Sequence, residues 1–276
     1  MRFATAAGFR TSLETRLLDR ARREGRDVNR LRTQVAFERF LDRVFRAQGD
    51  WVLKGGYALE VRLHDRARST LDLDLNAGTV PSLLDALQEA VRLPVGDYFE
   101  FAVRAQGPGL VGPPEGGQRF HVEARLAGRP FARFHVDLGQ GDRLTQPPEW
   151  IEGQTDLSFA DLPRSRLRVY ALASHFAEKV HAYTRPRERQ TRVKDLVDLA
   201  LLLTLDVPPS AATWAAVEST FGQYGTHPLP ETWPPTPAEW TGRFQELAGS
   251  AGLEPPELAP WEERLTAFWK QLRSSE

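Results

Sequence analysis

The chain has 276 residues, of which 41% are hydrophobic and 26% are charged, so it can form the core of one large domain or of two smaller ones. Its formal net charge of −1 gives no overall attraction to nucleic acid or membranes, and no apolar run approaches the roughly 20 residues of a membrane span. Cysteine is absent, which excludes disulfides and thiolate metal sites. Because the N-terminus lacks the apolar region of a signal peptide, we expect a cytoplasmic protein.

The first predicted elements are helices within residues 11–48. Apolar residues recur there at helical spacing, Thr11 or Ser12 is the expected N-cap, and a second helix is predicted over about 29–47. The polar positions of this region include Arg16, Arg20, Arg22, Arg23, Arg26, Arg30 and Arg32. These arginines form either a solvated helix face or a contact surface for an RNA backbone.

The central stretch, residues 51–76, reads WVLKGGYALEVRLHDRARSTLDLDLN. It predicts a strand, a Gly-Gly turn, a short helix that starts near Tyr57, a basic loop and a second strand. Side chains on a strand alternate between its two faces, so Asp72 and Asp74 share one face. The other face carries Leu71, Leu73 and Leu75. We expect the leucines to pack on a core, whereas nothing in the strand itself neutralises the acidic face.

Further elements follow the acidic strand. The predictions are an amphipathic helix over 81–91, strands over 98–105, 118–126 and 130–139, and a Pro/Gly-rich loop over 107–117. In the last of these strands, Asp137 falls on the polar face. If the strands belong to one sheet, its carboxylate can converge with the two carboxylates of the acidic strand.

Beyond a loop near 140–163 the sequence becomes helical. The predicted helices lie at about 169–183, in the second half of 185–203, and at 210–222, 237–248 and 256–273. His175 and Lys179, four residues apart, fall at the edge of the first apolar stripe. We therefore predict an α+β fold. It comprises a mixed β-sheet with flanking helices in a domain over 1–165, and a helical domain over 166–276.

Two carboxylates at alternate positions on one strand suit a hard divalent cation. Mg²⁺ binds oxygen ligands, usually one or two carboxylates together with waters and substrate phosphates. Without a cation the pair is costly, because adjacent like charges repel. We therefore predict that Asp72 and Asp74 bind Mg²⁺ or Mn²⁺. Asp137 would hold a second metal ion or remove a proton from an attacking hydroxyl group.

Gly55 and Gly56 form the candidate phosphate-binding turn. Glycine lets the backbone approach a ligand closely, and the helix that follows points its N-terminal N–H groups at an anion. The turn is not a P-loop, because the pattern GxxxxGK[ST] is absent. Lys54 either adds positive charge to this turn or is a strand residue that faces solvent.

Four charged residues of the C-terminal half are further candidates. Lys179 and Lys194 are possible ligands of a triphosphate, and the alternative for each is a lysine that extends over the core into solvent. Asp195 lies where an acidic residue complements the helix dipole. Asp198 borders a helix that is buried on nearly all sides, where an acid should be paired, and Lys179 is the predicted partner.

Four sequence motifs resemble those of nucleotidyltransferases. They are LKGGYAL, RSTLDLDL, AEKV and RVKDLVDLALLL, within residues 51 to 203. A Gly-Gly turn, a short helix and a DxD strand form the signature of the nucleotidyltransferase superfamily. In combination, the motifs resemble the AbiEii/AbiGii toxin family, which includes the MenT-like toxins of toxin–antitoxin systems. The resemblance implies a nucleotidyltransferase-like fold.

The resemblance also assigns roles to the first two motifs. It implies that Gly55 and Gly56 form the turn that binds the nucleotide phosphates. Asp72 and Asp74 match the metal-binding pair. Asp137 matches a position that is an acid in many members and hydrophobic in others.

The remaining motifs match the nucleotide-binding part of the family. Lys179 matches the nucleotide-binding lysine of the EK motif. Asp198, in preference to Asp195, matches the acid of the fourth motif. Thr70 falls where some members carry a serine that the antitoxin phosphorylates.

The resemblance implies a toxin that transfers a nucleoside monophosphate from an NTP to an RNA acceptor. In related members the acceptor is the tRNA 3′ end, so translation is blocked, and a cognate antitoxin is the implied partner. The basic run Arg185, Arg187, Arg189, Arg192 and Lys194 either reaches acceptor phosphates or is a solvated loop. Two other interpretations stay open. One is a nucleotidyltransferase that modifies a protein or a small molecule, and the other is a non-catalytic nucleotide-binding partner.

Overall fold

A mixed β-sheet carries the acidic strand at its centre. The computed structural model describes residues 2–64, 70–107, 116–141, 143–186 and 192–275. Within these residues the strands are β1 (Val52–Lys54), β2 (Asp72–Ala77), β3 (Phe99–Ala105), β4 (Gly117–Leu126), β5 (Arg129–Gln140), β6 (Glu149–Glu152) and β7 (Arg166–Val169). Their order in the sheet is β3-β4-β5-β2-β1-β7-β6. The pairs β2–β5 and β1–β7 are parallel, whereas β3–β4 and β4–β5 are antiparallel.

The helices precede, connect and follow these strands. In the same part of the chain they are α1 (Ala6–Glu24), α2 (Val28–Ala47), α3 (Gly55–Leu63), α4 (Leu83–Val91), α5 (Leu172–Thr184), α6 (Val193–Leu203), α7 (Ala211–Tyr224), α8 (Thr241–Ser250) and α9 (Leu258–Arg273). The mixed sheet and the run of C-terminal helices confirm the predicted α+β fold. Of the helices described, none has the length and apolar character needed to cross a membrane.

The described chain comprises two units. The first contains the described residues of 1–53, 71–141 and 150–169, and thus most of the sheet. The second contains those of 54–70, 142–149 and 170–276, and thus α3 and the C-terminal helices. The domain boundary placed at residue 165 from the sequence stays a prediction.

Each unit has apolar packing of its own. In the first unit α2 packs on the sheet, where the rings of Phe37 and Phe40 meet Phe134 of β5 edge-on, with centroid distances of 4.9 and 5.5 Å. The core of the second unit is formed by α3 and α5–α9, and α6 is buried along most of its length. This burial explains the apolar sequence of α6.

The start of α1 differs from the sequence prediction. The N-cap is Thr5, whose side chain accepts a hydrogen bond from the N–H of Gly8 at 3.2 Å. Thr11, one of the two predicted caps, lies inside the helix, and its hydroxyl donates to the carbonyl of Ala7 at 3.1 Å. Because Phe9 is fully buried, the apolar face of the helix begins one turn earlier than the leucine pattern indicates.

Two short strands and one leucine also differ from prediction. The segments of β6 and β7 were expected to belong to a loop and to the start of a helix, and strands of four residues are too short for alternation to be recognised. Leu71 is 69% exposed, because β2 begins only at Asp72. Leu73 and Leu75 are fully buried, as predicted.

A buried ion-pair network joins α2 to the start of β3. Asp97 accepts hydrogen bonds from Nε of Arg39 at 2.6 Å and from Nη2 of Arg43 at 2.5 Å. Arg39 also pairs with Asp42 at 2.9 Å. Burial by itself raises the pKa of Asp97, but the hydrogen bonds and charges of Arg43 and Arg39 outweigh burial and lower the pKa below its usual value.

The network makes stability depend on pH through Asp97. Because its pKa is lowered in the folded state, ionised Asp97 stabilises the protein above the unfolded pKa of about 3.9, and this contribution is lost as the pH falls through the folded pKa. Asp97→Asn should therefore lower the free energy of unfolding by about 3–5 kcal/mol at neutral pH. The difference from wild type should shrink below about pH 4.

Urea unfolding across this pH range measures the effect of Asp97→Asn. The matched control is Asp19→Asn, which changes an exposed carboxylate of α1 and should alter stability by less than about 0.5 kcal/mol. A difference between Asp97→Asn and wild type that stays constant down to acid pH would contradict the ionised pairing.

Candidate active site

Three candidate site acids of the first unit lie on two neighbouring parallel strands, β2 and β5. Asp72 and Asp74 lie on one face of β2, because they are two residues apart. The parallel register pairs Asp74 with Asp137, and Asp72 with His135, on β5. Adjacent strands are about 4.8 Å apart. The structure therefore places the three acidic residues on neighbouring strands at the centre of the sheet.

Arg119 on β4 is the cation of this group, and sequence reasoning missed it. Its Nε donates to Oδ1 of Asp137 at 2.7 Å, and its Nη2 donates to Oδ2 at 2.6 Å. The hydrogen bonds and charge of Asp137 raise the pKa of Arg119, and the charges of Asp72 and Asp74 raise it further. The guanidinium thus compensates all three carboxylates. Alternation places Arg119 on a polar face, but only the antiparallel register shows that it lies opposite Asp137.

His135, two residues before Asp137 on β5, lies beside Asp72. Its Nδ1 is 3.4 Å from Oδ1 of Asp72. Nothing in β2 itself neutralises the acidic face, as expected from the sequence, but the neighbouring strands place Arg119 and His135 beside it. The face is therefore less open than the strand pattern alone indicates.

The donor set of β2 fits a hard divalent cation. Asp72 and Asp74 offer carboxylate oxygens on one partly exposed face. Across the described residues, no three His, Cys, Asp or Glu side chains are grouped as a complete metal site. Mg²⁺ suits such a partial set, because it keeps waters and substrate phosphates as ligands. Both oxygens of Asp137 accept a hydrogen bond from Arg119, and each keeps a second lone pair, so its role as a third ligand stays a prediction.

The Gly-Gly turn forms the first residues of α3, two positions before the predicted start at Tyr57. Gly55 has a φ of +68°, in the left-handed region that favours glycine. Lys54 is the N-cap residue, and its side chain makes no capping hydrogen bond within the described chain. In any α-helix the first N–H groups have no partner within the helix, and such groups suit an anion. The role of Gly55 and Gly56 at nucleotide phosphates stays a prediction.

Lys54 is held within the second unit. Its Nζ donates to Oε1 of Glu178 at 3.1 Å and lies 5.6 Å from the centroid of the Tyr170 ring. The side chain is 16% exposed. Lys54 is a strand residue, the last of β1, but its side chain does not face solvent as that interpretation expected. Its role at a triphosphate stays a prediction.

Lys179 lies between two carboxylates of α6. Its Nζ is 2.7 Å from Oδ2 of Asp198 and 3.0 Å from Oδ1 of Asp195. Asp198 is fully buried, which confirms the expectation that it needs a partner and that Lys179 is that partner. Arg192 also reaches Asp195, at 3.2 Å. Because the ammonium of Lys179 forms ion pairs with both carboxylates, the alternative of a lysine that extends into solvent is wrong.

The other predicted site residues lie outside this network. Lys194 is exposed on α6. Thr70 is partly buried, and its backbone N–H donates to Oε2 of the buried Glu60 at 3.4 Å. Arg187 and Arg189 of the basic run lie outside the described residues.

His175, one turn before Lys179, is fully buried rather than at the edge of α5 as expected. The reason is that both α6 and α7 pack against α5. Neither ring nitrogen has a hydrogen-bond partner among the described residues. Burial and then the charge of Lys179 lower the pKa of His175 to about 3, so the ring is neutral at physiological pH.

A mixed sheet, a Gly-Gly turn before a helix, and paired carboxylates on a strand are together the features of a nucleotidyltransferase. Residues 39–273 match the family model described as nucleotidyl transferase AbiEii toxin, type IV TA system. The chain belongs to this family, which confirms the resemblance found in its motifs. The protein is therefore a nucleotidyltransferase of a toxin–antitoxin family.

The chain is similar to several solved structures. MenT4, a nucleotidyltransferase toxin from Mycobacterium tuberculosis, is 22% identical with a TM-score of 0.55, over 99% of this chain and 91% of that chain. JHP933 from Helicobacter pylori is 15% identical with a TM-score of 0.46, over 89% and 95% of the two chains. A comparison with curated proteins finds no match. The likeness to MenT4 thus agrees with the fold that the family implies.

Removal of the Lys179 ammonium should destabilise the protein. Lys179→Met takes this cation from the buried Asp198, and breaking one side of a buried ion pair costs about 3–5 kcal/mol. The double variant Lys179→Met, Asp198→Asn removes both charges and should lie closer to wild type. Urea unfolding at neutral pH measures the free energies of unfolding of the wild type, the single variant and the double variant.

The matched control for this series is Lys194→Met, at an exposed position of α6, which should change stability by less than about 0.5 kcal/mol. If Lys179→Met were as stable as this control, the ion pair would not be a structural requirement. Loss of activity in Lys179 variants should therefore be read only after stability has been measured.

Proposed function

We propose that the protein transfers a nucleoside monophosphate from an NTP to an RNA acceptor, the 3′ end of tRNA, with Mg²⁺ as its metal. The observation that carries the catalytic part is the register of β2 and β5, which aligns Asp72, Asp74 and Asp137. The acceptor rests on membership of the toxin family, since modification of tRNA would block translation. In this proposal a cognate antitoxin is the protein partner, and the protein acts in the cytoplasm, where NTPs and tRNA occur.

Asp72 and Asp74 are the proposed metal ligands. Bound there, Mg²⁺ supplies charge stabilisation for the attacking and leaving oxygens of the phosphoryl group. The protein contributes fixed spacing, because both residues lie on the central strand of the sheet. Arg119 offsets the repulsion between the carboxylates.

Asp137 is the proposed third ligand, or the base that accepts a proton from the attacking hydroxyl group. Both its oxygens accept hydrogen bonds from Arg119, and each keeps a second lone pair for a metal ion or a proton. The guanidinium keeps further N–H groups that can donate to phosphate oxygens, with which arginine pairs strongly. We therefore add Arg119 to the residues that position the nucleotide.

The proposed contacts of the NTP phosphates are the turn at 55–56, Lys54 and Lys179. Asp198, with Asp195, acts through Lys179, because it fixes the position of the ammonium group. A fixed ammonium lowers the cost of orienting the phosphates. Because they fall within the family motifs, Thr70, Lys194 and Asp195 are further proposed nucleotide-binding positions.

Transfer of label from radiolabelled NTPs to total tRNA tests the proposal. With Mg²⁺ present, we expect labelled tRNA with at least one of the four NTPs. Asp72→Asn and Asp74→Asn should each reduce labelling by more than about 100-fold, because each removes a metal ligand. The matched control Asp85→Asn changes an exposed carboxylate of α4 and should label tRNA like wild type.

The identity of the labelled molecule separates the remaining alternatives. Label on a protein or a small molecule, with none on tRNA, would contradict the proposal of an RNA acceptor. It would favour a nucleotidyltransferase that modifies a protein or a small molecule. Full toxicity of the Asp72→Asn, Asp74→Asn double variant in cells would favour a non-catalytic nucleotide-binding partner. Labelling that persists after addition of EDTA would contradict the proposal that the transfer depends on a metal ion.

Replacement of Arg119 should strengthen metal binding. Arg119→Met removes the cation that competes for the three carboxylates, so Mn²⁺ should bind more tightly, on the order of 10-fold. Electron paramagnetic resonance of free Mn²⁺ measures the affinity without NTP. Arg125→Met removes an exposed arginine of the same strand and should leave the affinity unchanged. Equal affinities of Arg119→Met and wild type would show that Arg119 does not compete with the metal.

A further inference from the structure

A cavity of about 310 Å³ opens beside β6, the last strand in the sheet order. Its lining includes Asp42, Phe45, Arg46, Trp150, Arg164 and Arg166. All six residues belong to the first unit, and none has a part in the proposed transfer chemistry. The cavity combines a partly exposed indole with three guanidinium groups. This composition is typical of surfaces that bind single-stranded nucleic acid.

The indole of Trp150 is held in place and still accessible. Phe45 of α2 meets it edge-on, with centroids 6.3 Å apart and planes at 86°. The guanidinium of Arg166 on β7 lies 5.1 Å from the ring centroid, in a cation–π contact. Trp150 nevertheless remains 49% exposed. A fixed aromatic ring with free surface can stack on a planar ligand.

The charge at this cavity is positive toward solvent. Asp42 is the one acid among the described lining residues, and its side chain is only 7% exposed. It pairs with the buried Arg39 at 2.9 Å and with Arg46 at 3.0 Å. Arg164 is fixed by a hydrogen bond from its Nη1 to the carbonyl of Gly153 at 3.1 Å. A ligand that enters the cavity therefore meets mainly guanidinium groups.

The series of arginines continues beyond this cavity. Arg164 also lines a second cavity of about 510 Å³, to which α1 contributes Arg16, Arg20 and Arg23. Acids of the second cavity that offset part of the charge are Asp19, Glu24 and Asp156. Arg20 and Arg23 pair with Glu24, and the two cavities adjoin at Arg164, which lines both. Repeated cations of this kind match the phosphates of a polynucleotide better than a single mononucleotide.

We propose that the cavity at Trp150 binds an unpaired nucleotide of the RNA acceptor. The base stacks on the indole, and the flanking phosphates pair with Arg164 and Arg166, whose planar forks match phosphate oxygens. The surface thus binds the acceptor RNA and takes no part in the transfer step. This inference rests on the RNA acceptor proposed above.

RNA binding without NTP tests the surface separately from catalysis. Fluorescein-labelled total tRNA is titrated with the full-length protein, and fluorescence anisotropy gives the affinity. Trp150→Ala should weaken binding on the order of 10-fold, because a stacked base loses its platform. Trp150→Phe keeps an aromatic ring and should retain most of the affinity. Urea unfolding verifies that both variants fold.

Salt dependence tests the phosphate contacts. Arg166→Gln should reduce the slope of log affinity against log salt concentration by about 0.7, the value for one phosphate of a single strand. Trp150→Ala should leave this slope nearly unchanged, because the indole carries no charge. The matched control Arg243→Gln changes an exposed arginine of α8 and should keep the slope and affinity of wild type.

The outcomes separate this surface from the proposed function. If Trp150→Ala and Arg166→Gln both bound tRNA with wild-type affinity, the proposal that this surface binds RNA would be overturned. This holds even if the wild-type protein labels tRNA. Absence of tRNA labelling by the wild-type protein would instead overturn the proposal that tRNA is the acceptor. If Trp150→Phe and Trp150→Ala lost tRNA affinity equally, the proposal that a base stacks on residue 150 would be overturned. Binding of AMP as tight as that of tRNA would mean a mononucleotide site and would also overturn the inference.

Discussion

The parallel pairing of β2 with β5 is the constraint on which the candidate active site depends. It sets Asp74 beside Asp137 and concentrates negative charge on one face of the sheet. Such a concentration requires opposite charge nearby, and β4, on the other edge of β5, supplies it through Arg119. The opposite face of β5 packs on α2, so the acidic group rests on a rigid core. Backbone pairing, rather than a loop, thus fixes the spacing of the carboxylates, as a metal site needs.

The second unit meets the same electrostatic requirement in a buried setting. Asp198 has no contact with solvent, and the ammonium of Lys179 lies 2.7 Å from it. His175, one turn away, is kept neutral by burial and by the neighbouring positive charge. The pairing restrains Lys179 in one position, which favours precise contact with a phosphate over a freely moving charge. Stability and the proposed nucleotide contact therefore depend on the same ion pair.

Hydrophobic periodicity predicts most of this architecture, because it reports which side of an element is buried. It predicts the strand that carries Asp137. It does not predict the register of that strand, because register depends on pairing between distant segments. The pairing of Arg119 with Asp137 therefore could not be predicted from the sequence. Trp150 lies on a strand of four residues, too short for alternation to be recognised, within a segment that reads as a loop. The burial of Asp198, by contrast, follows from the apolar run around it, and its pairing with Lys179 follows from its charge.

The central claim is that Asp72 and Asp74 form the metal site of this nucleotidyltransferase. A crystal structure with Mn²⁺ and a non-hydrolysable NTP analogue tests it most directly, because the anomalous signal of manganese locates the ion independently of the protein. We predict an anomalous peak about 2.2 Å from a carboxylate oxygen of each residue, with water and phosphate oxygens as the other ligands. A peak bound to other side chains, or no peak at saturating Mn²⁺, would contradict the claim.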